Sequence, residues 1–134
     1  MKRAHPKTKA ERSAENKAFR DTHPDYFYAY SRTPKARYAS IRKSARQRGI
    51  TFDLTLEQFE AITARWCVYS IQIESGIRTG ADRKDNTRGY SGDNCQPCCY
   101  WHNHVKADVF THEQMLDLVQ RYSIRCGNAP GRRN

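Results

Sequence analysis

At 134 residues the chain holds one domain with room for a tail, and a hydrophobic fraction of 37% against 28% charged residues leaves it a small core. No run of about 18 apolar residues is present and no apolar stretch follows the charged N-terminus, so neither a membrane span nor a secretory leader is predicted. The net charge of +10 lies entirely in residues 1–50, which carry 14 Lys/Arg against 4 Asp/Glu, whereas residues 51–134 carry 10 of each. A concentration of that sign suits a polyanion, since each neutralised phosphate releases condensed counterions. A solvated, solubilising segment is the plainer alternative.

Residues 1–24 contain one large apolar group, Phe19, and are read as a basic flexible arm with a transient helix over Lys9 to Arg20. Residues 25–66 form a helical basic region. It opens on the aromatic cluster Asp25-Tyr26-Phe27-Tyr28-Ala29-Tyr30, which would dock on the core or stack on exposed bases. A helix is predicted from Pro34 to Arg48, with Thr33 as cap, Pro34 at its first position and Gly49 ending it. Tyr38, Ile41 and Ala45 line its apolar face. Arg37, Arg42, Lys43, Arg46 and Arg48 lie on the others, where they are candidates for phosphate contact. Thr51 to Leu54 reads as extended. A second helix follows from Leu56 to Trp66, with Thr55 and Gln58 as a capping box and Phe59, Ile62 and Trp66 facing inward.

Cys67 to Ile73 alternates and branches at Cβ, which predicts a strand, and Gly76 and Gly80 bound a loop. The last helix spans His112 to Ser123, capped by Thr111 with Gln114, its core face being Met115, Leu118, Val119 and Tyr122. Residues 125–134 read as a frayed tail. Five cysteines, an odd number, argue against a closed disulfide framework. Those at 67, 95, 98 and 99 fit metal binding in a reducing, intracellular compartment, cytoplasmic or nucleoid-associated, and Cys126 reads as a free thiol.

Between the last two helices runs Asp82-Arg83-Lys84-Asp85-Asn86-Thr87-Arg88-Gly89-Tyr90, three residues, Asn94, and then Cys99-Tyr100-Trp101-His102-Asn103-His104-Val105-Lys106. In order and spacing this resembles the HNH (ββα-metal) endonucleases, in the subgroup common in bacteriophage and in a few restriction enzymes. The resemblance implies an α+β fold, with N-terminal helices packed on a ββα-metal core over residues 67–124 and a C-terminal closing helix. It implies hydrolysis of phosphodiester bonds, DNA as partner (most plainly the duplex) and a divalent cation such as Mg²⁺ as cofactor. On that pattern Asp82 and Asn103 would be the metal ligands, and Asn94 would hold the loop through its side-chain amide. Arg83 and Lys106 would meet phosphate. An arginine stands where most such enzymes have a histidine base, and a guanidinium cannot take a proton from water, so the base would come from His104, Tyr90 or His102.

The same resemblance implies a structural zinc held by two Cys-x-x-Cys knuckles. Here Ser70 and His102 stand where two of the cysteines belong, leaving Cys67, Cys99 and His102, with Cys95, Cys98, His104 or water to complete the set. The alternative is that these side chains simply pack together. A chain of such descent that kept its basic surface and lost its chemistry would serve as a nucleic-acid-binding or structural component of a nucleoprotein particle. Small enzymes of this kind often pair to cut both strands, but nothing in the sequence decides for a homodimer.

Overall fold

The computed structural model describes residues 5–72 and 76–130. The chain divides into two units, Met1–Arg37 and Tyr38–Asn134. In the first, α1 (Lys9–Thr22) starts on a capping box in which Thr8 accepts from the Glu11 amide and Glu11 accepts from that of Thr8. Such a cap is worth about 1 kcal/mol, so this part of the arm is a capped helix and longer than expected. Helix α2 (Pro24–Ser31) has Pro24 in its first turn, where a missing N–H costs nothing. Phe19 of α1 stacks on His23 and meets Tyr26 and Phe27 edge-on, yet neither helix buries a residue.

Helix α3 (Pro34–Gln47) begins where Thr33 accepts from the Ala36 amide. Over the second unit, Tyr38, Ile41 and the fully buried Ala45 pack into a cluster with Leu54, Phe59, Ile62, Ala81 and Tyr90. Helix α4 (Leu56–Thr63) carries the expected Thr55–Gln58 capping box but stops before Trp66, which is exposed. The strand expected over Cys67 to Ile73 is absent among the described residues. Over 67–72 the chain turns, with the Ser70 amide donating to the Cys67 carbonyl, and Ile73 lies outside the described residues.

Strands β1 (Thr79–Arg83) and β2 (Cys95–Cys99) pair antiparallel, Arg83 opposite Cys95 and Thr79 opposite Cys99. Helix α5 (Tyr100–Lys106) follows β2 directly, and α6 (His112–Tyr122), begun by the Thr111–Gln114 capping box, buries Met115 and Val119. Tyr122, expected inside, is exposed. A second cluster gathers Cys67, Tyr69, Cys98, Cys99, Met115 and Val119. No helix among the described residues is long and apolar enough to cross a membrane.

Candidate functional site

The register of β1 on β2 makes residues 84–94 a long loop hanging from the sheet. Asn94, buried, closes it: its Oδ1 accepts from the Asp85 amide, and its Nδ2 donates to the carbonyls of Asp85 and Gly89. The loop is also stitched to the segment before α4, where the Tyr90 amide donates to the Thr51 carbonyl at 2.9 Å. A Cβ on Gly89 would overlap that carbonyl, so the approach requires glycine. Arg83 folds back onto the same loop. Its guanidinium donates to the carbonyls of Asn86 and Arg88, both at 2.9 Å, reaches Asp108 at 3.4 Å and lies over the Tyr90 ring.

Asp82 lies beside it on β1, 6% exposed. Gln96 donates to its Oδ2 at 3.0 Å, and the Lys106 ammonium to its Oδ1 at 3.2 Å. Burial outweighs these partners and holds the Asp82 carboxyl above its ordinary range. Lys106 is wholly buried, and its other bonds go to the Arg83 carbonyl at 2.7 Å and Asn86 Oδ1 at 3.0 Å. All three ammonium protons are therefore used inside the protein. Expected at the surface against phosphate, Lys106 is instead an internal tie between α5, β1 and the loop. Arg83, 7% exposed, is likewise spent on its own loop.

Asn103 and His104 stand on the open side of α5. With Tyr100, Ala107, Asp108 and Arg48 they line an open cleft of about 320 Å³. Ala107 ends α5 at a φ of 43°, a conformation that costs a non-glycine residue energy and that sits at the cleft's lip. The His104 ring lies parallel to Tyr100, 5.8 Å away. Of the three histidine and tyrosine candidates for a base, His104 alone opens on this cleft. His102 is buried, and Tyr90 is buried with its hydroxyl taking a hydrogen bond from Arg48 at 3.1 Å. Arg42, Lys43, Arg46 and Arg48 are exposed on or just after α3, and Arg37 is half-buried.

A second constellation lies at the other end of β2. Ligand atoms of Cys67, Cys99, His102 and Cys126 all fall within 4.8 Å of one another. His102 Nδ1 is 3.3 Å from the Cys67 sulfur, 3.4 Å from that of Cys99 and 3.6 Å from that of Cys126. Its Nε2 donates to the Ile124 carbonyl at 2.7 Å, which turns Nδ1 toward the sulfurs, the nitrogen a metal would take. The charges agree. A hydrogen bond from Cys67 leads the effects that bring Cys99 down to about 3, while its bonds to Cys98 and Cys99 push Cys67 up. Burial opposes charge on His102, but the two thiols and the Ile124 carbonyl carry it to about 10. Three sulfurs and an imidazole could thus hold a soft or borderline metal.

Cys126 is the member that sequence reasoning missed. Its segment has no helical or strand pattern, so it read as fraying. Its described part is instead pinned, the Trp101 amide donating to the Gly127 carbonyl and Asn128 bonding to the Arg78 amide and the Gly76 carbonyl, while residues 131–134 lie outside the described residues. Ser70, standing where a cysteine was expected, lies 3.1 Å from the Cys126 sulfur, so the tail brings a thiol to the place the knuckle lacks. That missing fourth donor was the available signal. Of the other candidate donors, Cys95 lies in the first cluster and His104 in the cleft, while Cys98 packs beside the constellation.

No family model matches the chain. It is 30% identical over 77 residues to an uncharacterized protein of Acanthamoeba polyphaga mimivirus, a stretch that covers 58% of this chain and 14% of that protein. The chain thus spans a small fraction of that relative's length. Among solved structures, PacI, a rare-cutting HNH restriction endonuclease described for its mechanism of DNA perturbation, superposes with a TM-score of 0.59. The match is 23% identical and covers 68% of this chain and 77% of that of PacI. The fold is HNH-like. It is α+β, with helices and, among the described residues, a two-stranded antiparallel sheet, as the resemblance implies.

Proposed function

We propose that the chain is an HNH-type endonuclease or nickase that hydrolyses phosphodiester bonds of double-stranded DNA. The observation that carries this is the cleft on α5, which sets His104 and Asn103 beside Arg48 on an HNH-like scaffold. His104 is the base in this reading: exposed, with open space before it, it takes the proton from the attacking water, an effect worth about 10²–10⁴ in rate. Arg48 and the exposed cations of α3 hold the flanking phosphates. Arg83 and Asn94 act at one remove, fixing the loop that follows Asp82 and β1.

Asp82 and Asn103 would hold a hard divalent ion such as Mg²⁺. Their donors are carboxylate and amide oxygens, and each Asp82 oxygen keeps a lone pair beyond the hydrogen bond it accepts. Such an ion, when bound, supplies charge stabilisation at the scissile phosphate and a more acidic water. Zinc suits the Cys67, Cys99, His102 and Cys126 set as a structural ion.

A plasmid-nicking assay with Mg²⁺ or EDTA tests the reading. Metal-dependent nicking is expected, with Asn103→Ala and His104→Gln each slowing it at least about a hundredfold while binding persists. Wild-type rates in both variants would remove the assignment. One observation favours a second reading, a binding or structural component without chemistry. Both Asp82 oxygens are already engaged by buried partners, and the carboxylate is nearly closed to solvent. DNA binding with no cleavage under any divalent ion would favour it.

A further inference from the structure

We propose that Tyr26 and Tyr30 of α2 form a stacking platform for unpaired bases of DNA, a contact separate from the cleft and from any cleavage. Four of the eight residues of α2 are aromatic, yet the helix buries none of them. One turn apart on the same face, the Tyr26 and Tyr30 rings lie parallel within 7°, centroids 6.5 Å apart, and are 58% and 48% exposed. Phe19 and Phe27 meet Tyr26 nearly at right angles, so packing against them holds the ring upright without covering it. Phe27, the cluster's more sheltered ring, shows the packing role that Tyr26 and Tyr30 do not share.

The surroundings select the occupant. Residues 1–37 carry ten Lys/Arg against four Asp/Glu. Lys7 and Lys17 are paired with Glu15 and Asp21, whereas no ion pair engages Lys9, Arg12 or Arg20 among the described residues. Two exposed parallel rings with excess positive charge in the same small unit match the way single strands are held, by base stacking and backbone neutralisation together. A second copy of this unit would bring the same positive charge to the face and be repelled.

The test uses the full chain without added Mg²⁺, which separates it from cleavage: either reading can fail while the other stands. Fluorescence anisotropy compares a labelled oligothymidine with a duplex of equal length. Y26A/Y30A should lose about tenfold in single-strand affinity per ring, with duplex affinity within about twofold and an unchanged salt slope, since no charge is removed. Y26F/Y30F should behave as wild type. Y26L/Y30L, which keeps helix propensity and apolar bulk, should bind single strands as weakly as the alanine variant. Tyr28→Ala, half a turn away with the Arg32 guanidinium 4.5 Å over its ring, is the control and should change little. Unchanged single-strand affinity in Y26A/Y30A, equal loss on duplex, or full affinity in Y26L/Y30L would overturn the proposal. So would a wild-type dimer in sedimentation that the alanine variant dissolves.

Discussion

Replacing Lys106 by Met separates an internal cation from a phosphate-binding one. Methionine keeps the length and helix propensity but removes a charge whose three protons go to Asp82 Oδ1, Asn86 Oδ1 and the Arg83 carbonyl. Breaking a buried pair leaves an uncompensated charge, here Asp82, and costs about 3–5 kcal/mol. Urea denaturation should show that loss, and D82N/K106M should recover part of it through a coupling of about 2 kcal/mol. The pH dependence gives a second check. Asp82 is already held above its ordinary range by burial, and losing Lys106 raises it further. The folded variant then binds more protons than the unfolded chain between their two carboxyl values, so its stability falls as pH rises through that window. The deficit relative to wild type should therefore be largest at neutral pH and shrink as pH falls from the variant's Asp82 value to the wild type's, both above the unfolded value of about 3.9. Loss below about 1 kcal/mol, flat with pH and accompanied by weaker DNA binding, would refute an internal role.

Gly89→Ala should cost about 1–3 kcal/mol in thermal denaturation, because the added methyl meets the Thr51 carbonyl that pairs the loop with the segment before α4; a neutral result would show that approach to be loose. Purified protein should carry about one equivalent of zinc, and chelation should lower its melting temperature by several degrees. Cys126→Ser should weaken that binding, and retention of full affinity would exclude the tail thiol as a ligand. K9Q/R12Q/R20Q should flatten the plot of log affinity against log salt by about 0.9 for each duplex phosphate that the arm no longer neutralises, and an unchanged slope would make the arm a solubilising one.

Much of the helical frame was legible because caps are local chemistry. The Thr55–Gln58 and Thr111–Gln114 boxes mark two helix starts, and both form as read. Thr8 and Glu11 carry the same signature, but the helix after it lacks the apolar face that makes such a start stand out. The alternation at Cys67 to Ile73 misled for a different reason. Cys67 and Tyr69 do point inward and Val68 outward, but the burial is that of a tight turn whose sulfur enters the Cys/His constellation. Periodicity reports which side chains are covered, and a knuckle can cover alternate residues as a strand does. The contribution of Cys126 was out of reach of any local rule, since it depends on where a patternless tail runs.

The charge balance links the two halves of the chain. Residues 51–134 are neutral by sequence, with ten cations and ten carboxylates, but the fold takes Arg83 and Lys106 out of contact with solvent and, among the described residues, only Asp82 of the acids with them. The surface of the motif-bearing half is thereby less attractive to phosphate than its sequence suggests. Burying those two cations is what holds the loop: Arg83 caps its carbonyls, and Lys106 ties its base to α5. The cleft then draws its exposed cation from outside that half. Arg48, just past α3, is held toward it by the Tyr90 hydroxyl, the far end of the same loop. In the proposed reading, a polyanion reaching His104 and Asn103 would thus be met by the charge of Arg48, just past the end of α3.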